Sequence, residues 1–430
     1  MKIQSTMGGL KMQKSLDYGK RQIVIEIPAE QLIAELHANA FELSSNPAAL
    51  IEEALANPIG SAKLSSIINI KKPKNAVIVV NDITRPTPYQ YLLPPLLKEL
   101  ETAGIPASEI TLLIALGIHR PHTIDDNLLI FGEKICRKYR IENHDCDHNL
   151  VTLGTLANGM NLEINRTAAE ADLLIATGLV GLHYFAGYSG GRKSILPGIA
   201  ARSLIEANHK MMNNPLAHLG NYENNPVSDI MVEAAQKVGV DFILNVVTAS
   251  HQDIVYCTAG DVYEAWLDAV KFCEKLNVVE CETKADIVIA SCGGYPKDIN
   301  MYQAQKAMDA AALAVKPGGT IILLAECSEG LGEDVFEKWI HEAKSRQDIV
   351  DRFHSHFELG GHKAFAICRT LDLADIYLLS DLPDQTVKDL FLQPVHSIEE
   401  AMERAIRKSG KEASIILMPE APKIAVKIRQ

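Results

Sequence analysis

Four polar clusters in this chain have the residue types needed to move protons or hold anions. The first, Asn81-Asp82-Ile-Thr84-Arg85-Pro-Thr-Pro88, sets a carboxylate, a hydroxyl and a guanidinium in a loop stiffened by prolines. The second, Gly117-Ile-His119-Arg120-Pro121-His122, offers imidazoles, which change charge near neutral pH. The third is GLVGLHYFAGYSGGRKSILPG, residues 178–198. The fourth is Cys292-Gly-Gly-Tyr295-Pro-Lys-Asp298-Ile-Asn300-Met-Tyr302-Gln303-Ala-Gln-Lys306.

Within the third cluster, GYSGGRKS (187–194) comes within one residue of the phosphate-binding pattern G-x-x-x-x-G-K-[ST]. Arg192 stands where the second glycine belongs, and nine residues separate Thr177 from Gly187. A P-loop follows its strand directly, so that helix N-terminal amides point at phosphate. Here Ile195-Leu-Pro-Gly198 interrupts any helix that would follow, and the triphosphate reading fails. What remains is a turn in which Gly187, Ser189, Gly190 and Gly191 line a concavity for one phosphate. Beside it stand Arg192 and Lys193, with His183 ten residues before the lysine and His209 sixteen after it. A lysine desolvated on a tight turn has a lowered pKa and a nucleophilic amine, whereas a solvated loop lysine has neither.

In the fourth cluster Gln303 and Lys306 are three apart on a helical stretch and share a face. An ammonium beside an amide can clamp a carboxylate, and a solvated helix face is the plain alternative. His144-Asp-Cys146-Asp-His148 has zinc-binding residue types, but it sits in one polar loop with no second cluster and is set aside. G-x-S-x-G, H-E-x-x-H and G-x-G-x-x-G are all absent, which removes the main support for serine-hydrolase, zincin and Rossmann-dehydrogenase readings.

The elements that must position these clusters are short apolar runs alternating with helical patterns, the mark of α/β units around mostly parallel sheets. Strands are expected at 22–27, 75–80, 110–116, 171–177, 241–247, 285–290, 319–325 and 374–380. Helices are expected at 89–103, 228–238, 261–275, 302–315 and 397–409, the last with capping-box spacing from Ser397 to Glu400. The polar stretch at 275–284 divides a larger N-terminal α/β domain, 1–275, from a smaller C-terminal one, 276–430. Two such domains are expected to leave an active-site cleft between them. The clusters follow predicted strands, where ligands gather in open α/β sheets.

At 430 residues two domains are the natural expectation, and 47% hydrophobic with 22% charged residues is ordinary globular composition. A formal charge of −12 argues against nucleic acid or an anionic membrane as partner. Eight scattered cysteines without a C-x-x-C pair fit reduced thiols. With no apolar leader and no run of 18 apolar residues, a soluble cytoplasmic protein is expected.

Taken together, NDITRPTP, GIHRPHT, GLHYFAGYSGGRKSILPG, ANH ending at His209 and GGYPKDINMYQAQK resemble the nickel-pincer lactate racemase family, in order and spacing over most of the chain. The resemblance implies a cofactor, pyridinium-3,5-bisthiocarboxylic acid mononucleotide carrying nickel, joined through one arm to Lys193. His209 would be the protein's nickel ligand, Asp82 and Arg85 would lie in the same site, and the glycine-rich turn would cradle the single phosphate. It further implies a 2-hydroxy acid racemase or epimerase, with hydride passing to the cofactor and back through a 2-keto acid. His119 and His183 would serve the hydroxyl proton from opposite sides. Arg85, Lys306, Gln303 and Tyr295 would hold the substrate, and cofactor-synthesising enzymes would be maturation partners.

One departure bears on substrate. His362, in FELGGHKAF, stands where the family's lactate enzymes carry tryptophan, and Lys363 follows it. A polar ring in place of an aromatic wall implies a substrate larger or more polar than lactate, such as malate or a sugar acid. Two other classes compete: a nicotinamide-dependent 2-hydroxy acid oxidoreductase, and a non-catalytic nucleotide-binding protein.

Overall fold

A computed structural model describes residues 3–4, 11–41, 46–249 and 253–429. The chain forms two compact α/β units, one from Ala40–Leu276 and one from Met1–Asn39 together with Asn277–Gln430.

The Ala40–Leu276 unit is built on a six-stranded sheet. The chain enters it at Ala76–Asn81 and adds Ile110–Ala115 and then Arg140–Asn143 on one side. It then returns to place Leu173–Leu179 and Phe242–Thr248 on the other side, all parallel, with Ile254–Gly260 closing the far edge antiparallel. Strands covered on both faces should be continuously apolar, and Ala76, Val77, Ile78, Val79 and Val80 are all buried. Helix Tyr89–Thr102 covers one face through Leu92, Leu93, Leu96, Leu97 and Leu100, whose spacing makes a single apolar stripe. Each such leucine contributes about 2 kcal/mol of burial. Strand order reverses between Ala76–Asn81 and Leu173–Leu179, so a crevice opens where their carboxyl ends diverge. The first and third clusters follow those two ends.

The other unit has its own six-stranded sheet, wholly parallel, in the order 393–395, 375–379, 315–324, 285–291, 415–418, 32–35. The edge strand Leu32–Glu35 comes from the start of the chain and pairs with Ile415–Met418. Residues 1–39, expected with the N-terminal domain, therefore belong to the unit made by the end of the chain. QIVIEI is likewise not a strand of a parallel sheet. It lies in Arg21–Pro28, which forms a hairpin with Lys11–Tyr18, and its buried Ile25 and Ile27 join the core of the C-terminal sheet. The capping box at Ser397 is half formed. Ser397 accepts the amide of Glu400 at 3.1 Å, but the Glu400 carboxylate takes the amide of His396 instead of closing the pair. No helix among the described residues is long and apolar enough to cross a membrane.

Candidate active site

The Ala40–Leu276 unit carries ten of the expected site residues, most of them in the loops that follow its strands. Asp82 immediately follows Ala76–Asn81 and is 3% exposed. Its Oδ2 accepts from His119 Nδ1 at 2.5 Å, and its Oδ1 accepts from Thr84 Oγ1 at 2.7 Å. Arg85 Nη1 in turn donates to Thr84 Oγ1 at 2.9 Å. Burial alone would raise the Asp82 pKa. The hydrogen bond and charge of His119, the Thr84 hydroxyl and the Arg85 charge outweigh it, and the carboxyl stays below its usual range. An ionised carboxylate only accepts, so the bond from Nδ1 selects, for a neutral His119 ring, the tautomer that leaves the Nε2 lone pair for a substrate.

The loop itself is braced from below. His122, 6% exposed, accepts the amide of Ile83 on Nε2 at 2.9 Å and bonds the side chain of Asn127 through Nδ1 at 3.0 Å. It is a structural histidine. Gly117 N donates to Gly198 O at 2.9 Å, which ties the His119 loop to the end of the third cluster.

In that cluster Leu182–His183 and Gly187–Tyr188 pair as a two-residue hairpin. At its tip Phe185 is buried, and its ring meets three expected site residues. The His183 ring lies 4.6 Å away edge-on, the His209 ring 5.0 Å away, and Lys193 Nζ 5.6 Å from the centroid. His183 Nδ1 accepts the amide of Ala186 at 3.3 Å, so the neutral ring carries its proton on Nε2. The two histidines are held in opposite tautomers.

Lys193 lies on the short 3-10 turn Gly191–Ser194. Desolvation first, then the charges of Arg192 and Arg85, hold its amine well below the usual lysine range. His209, on helix Arg202–Lys210, is 6% exposed. Burial, then the neighbouring charge of Lys193, lower its pKa to about 3. Burial thus favours the neutral imidazole, the form in which histidine binds metals.

Two amides of the glycine-rich turn are bonded within the fold. Ser189 N donates to Gly181 O and Gly191 N to Asn245 Oδ1, while the Ser189 hydroxyl is engaged with Leu179 O and Gly181. The glycines are there for close approach. At left-handed φ of +73°, +74° and +51°, a Cβ on Gly187 would lie 2.2 Å from Asn221 O, one on Gly190 2.5 Å from Val180, and one on Gly191 2.6 Å from Trp266. Arg192, the misfit of the P-loop pattern, is 1% exposed. It donates to Ala186 O, Tyr188 O and Ser228 Oγ beneath the hairpin, and burial lowers its pKa to about 9.

Tyr295, Gln303, Lys306 and His362 lie in the other unit. Lys306 Nζ and Gln303 Oε1 are 2.6 Å apart on helix Met301–Ala314, sharing a face as the spacing requires. Tyr295 is half exposed with Lys20 over its ring. His362 is buried and accepts the amide of Gly360 on Nδ1. Lys363, expected to add charge beside it, turns inward to Gln305 Oε1 at 2.6 Å, and burial lowers its pKa to about 7. Of the set-aside zinc cluster, Asp145, Cys146 and Asp147 cluster together, but Asp147 is paired with Arg202 and His144 is turned away to Ala200 O.

Sequence reasoning missed Thr84 as a link, Phe185 as a hub and Asn245 as the partner of the Gly191 amide. The first two lie inside quoted motifs, and only their contacts reveal their roles. Asn245 sits mid-strand and leaves no local signal.

The model of the lactate racemase N-terminal domain matches residues 18–220, and that of the C-terminal domain matches residues 280–426. The lactate racemase of Thermoanaerobacterium thermosaccharolyticum is 37% identical over 423 residues, 96% of this chain and 98% of that protein. The lactate racemase of Lactiplantibacillus plantarum is 35% identical over 426 residues, 96% and 99% of the two chains. The solved lactate racemase apoprotein from T. thermosaccharolyticum superposes with a TM-score of 0.88 at 36% identity, covering 97% of this chain and all of that one. A Thermotoga maritima structure, at 19% identity and a TM-score of 0.63 over 90% of this chain, shares the fold.

Proposed function

The chain belongs to the lactate racemase family, and on that premise we propose that it racemises or epimerises a 2-hydroxy acid with a nickel-pincer nucleotide joined to Lys193. The observation that carries this reading is the meeting of an Asp82–His119 pair, a desolvated Lys193 and a neutral His209 around one crevice.

The residues fit such a group at two points. Lys193 has an amine that desolvation favours in its uncharged form, as an acyl or thioacyl linkage requires. His209 offers an imidazole nitrogen, a suitable ligand for nickel. At the phosphate, the amides of Ser189 and Gly191 are engaged within the fold, which leaves Gly187 and Gly190 as the proposed cradle residues. When bound, the group would supply a hydride acceptor and donor at the substrate's α-carbon.

The chain's own residues then handle charge and protons. Arg85 would take the substrate carboxylate, and Lys306, Gln303 and Tyr295 of the other unit are proposed as substrate-binding residues. His119 Nε2 would accept the hydroxyl proton, and Asp82 would stabilise the imidazolium that forms. His183, with its proton on Nε2, is set first to donate a hydrogen bond to the hydroxyl or keto oxygen. To act as base for the opposite enantiomer it must release the amide of Ala186. Substrate choice is proposed to rest on His362, whose polar ring favours malate or a sugar acid over lactate.

Two measurements test this. Protein produced with the pincer-synthesis enzymes should carry a mass adduct at Lys193 together with nickel; an unmodified, fully active protein would overturn the cofactor assignment. The same preparation should racemise malate or a sugar acid faster than lactate, and His362→Trp should move preference toward lactate. Faster turnover of lactate by the wild type would sink the substrate assignment alone.

A further inference from the structure

Asp82 is the one group that only accepts in a chain of four polar groups, and the chemistry of its neighbours fixes the direction of every bond. A guanidinium can only donate, so Arg85 Nη1 gives its proton to Thr84 Oγ1 across 2.9 Å. The threonine hydroxyl, having accepted, must send its own proton onward, and Asp82 Oδ1 lies 2.7 Å away. An ionised carboxylate can only accept, so Oδ2 takes the proton on His119 Nδ1. The order Arg85, Thr84, Asp82, His119 therefore leaves one orientation for the carboxylate and one tautomer for the ring.

We propose that Thr84 is a positioning residue for the base His119, acting through Asp82. Without the hydroxyl, Oδ1 of a carboxylate that is 4% exposed loses its donor. The group is then free to turn about its terminal torsion, which is soft and roughly two-fold. Arg85, left with its longer 3.4 Å contact to the Thr84 carbonyl, can swing onto the same carboxylate. Either motion takes Oδ2 off the line to Nδ1, and His119 relaxes toward a mixture of tautomers. In the mixture, Nε2 carries a proton part of the time and cannot accept one from a substrate hydroxyl. The His122 bond to the Ile83 amide holds the backbone from the other side, so the change stays in the side chains.

This inference deepens the racemase reading and rests on His119 being its base, but its test needs neither cofactor nor substrate. The full chain without cofactor, labelled with nitrogen-15 histidine, is compared as wild type, Thr84→Val and Thr84→Ser, with His119 assigned through His119→Gln. At a pH where the ring is neutral, the wild-type signals should be those of a single Nδ1–H tautomer. Thr84→Val should move both ring nitrogens toward averaged values, and Thr84→Ser should restore them. Thr84→Ala removes the same hydroxyl and answers the same question if the valine variant does not fold. An unchanged tautomer in the variants lacking the hydroxyl would overturn the proposal, as would a serine variant as disturbed as the valine one. A wild type that carries no racemase activity would instead sink the functional reading and leave the tautomer result standing.

Discussion

The guanidinium of Arg192 stacks 3.7 Å from the centroid of the Trp266 ring, both residues fully buried. The stack closes the underside of the hairpin that carries Phe185, while Arg192 satisfies two of that hairpin's carbonyls. Planar stacking and forked donation are things a lysine cannot supply. Arg192→Lys should therefore destabilise the Ala40–Leu276 unit by about 3 kcal/mol. The check is the midpoint of urea unfolding, followed by tryptophan fluorescence.

Gly187→Ala separates a packing glycine from a phosphate-binding one. The new methyl would meet the Asn221 carbonyl at a left-handed φ, and backbone cannot move aside as a side chain can. The variant should lose folded protein, with a melting temperature at least several degrees lower, before any ligand is added. A normal melting temperature with weakened cofactor loading would restore the phosphate role.

Acid should weaken this fold partly through His144. Its pKa is lowered to about 4, chiefly by burial, with the Ala200 carbonyl partly opposing. The ordinary unfolded value is about 6.5. The unfolded chain thus binds the extra proton first, and stability falls as pH drops from about 6.5 toward 4. The loss amounts to about 3 kcal/mol at the lower end. His144→Gln should flatten that slope in urea titrations at successive pH values, and an unchanged slope would assign it elsewhere.

His209→Ala should divide nickel from the covalent arm. The adduct at Lys193 should persist in the intact mass, while nickel content falls at least tenfold and racemisation becomes undetectable. Retention of nickel by the variant would mean that another residue is the ligand.

Much of the candidate site was legible because it sits in contiguous motifs, most of them following strands, where residue type and place both speak. His119, Lys193 and His209 could be named without coordinates. What those motifs could not disclose was direction: that Asp82 serves His119, or that the amides of Ser189 and Gly191 point back into the fold. The role of Arg192, buried against the Trp266 indole, was hidden for the same reason. The longer parallel strands were legible from their apolar runs. Arg140–Asn143, Gln393–Val395, Ile415–Met418 and Leu32–Glu35 were not, because a strand of three or four residues has too little pattern to be told from any other short stretch.

The pairing of the first strands with the last has a price in time during synthesis. Gln31 bonds the carbonyl of Lys411 across 380 residues of sequence, and Leu32–Glu35 has no neighbour until Ile415–Met418 is made. At about 5–20 residues per second, that edge waits roughly 20–80 seconds on the ribosome. The Ala40–Leu276 segment, continuous and complete, emerges well before then. Nascent chains arrested near residue 330 should thus hold a folded Lys193 site behind an N-terminal segment that a protease can still remove.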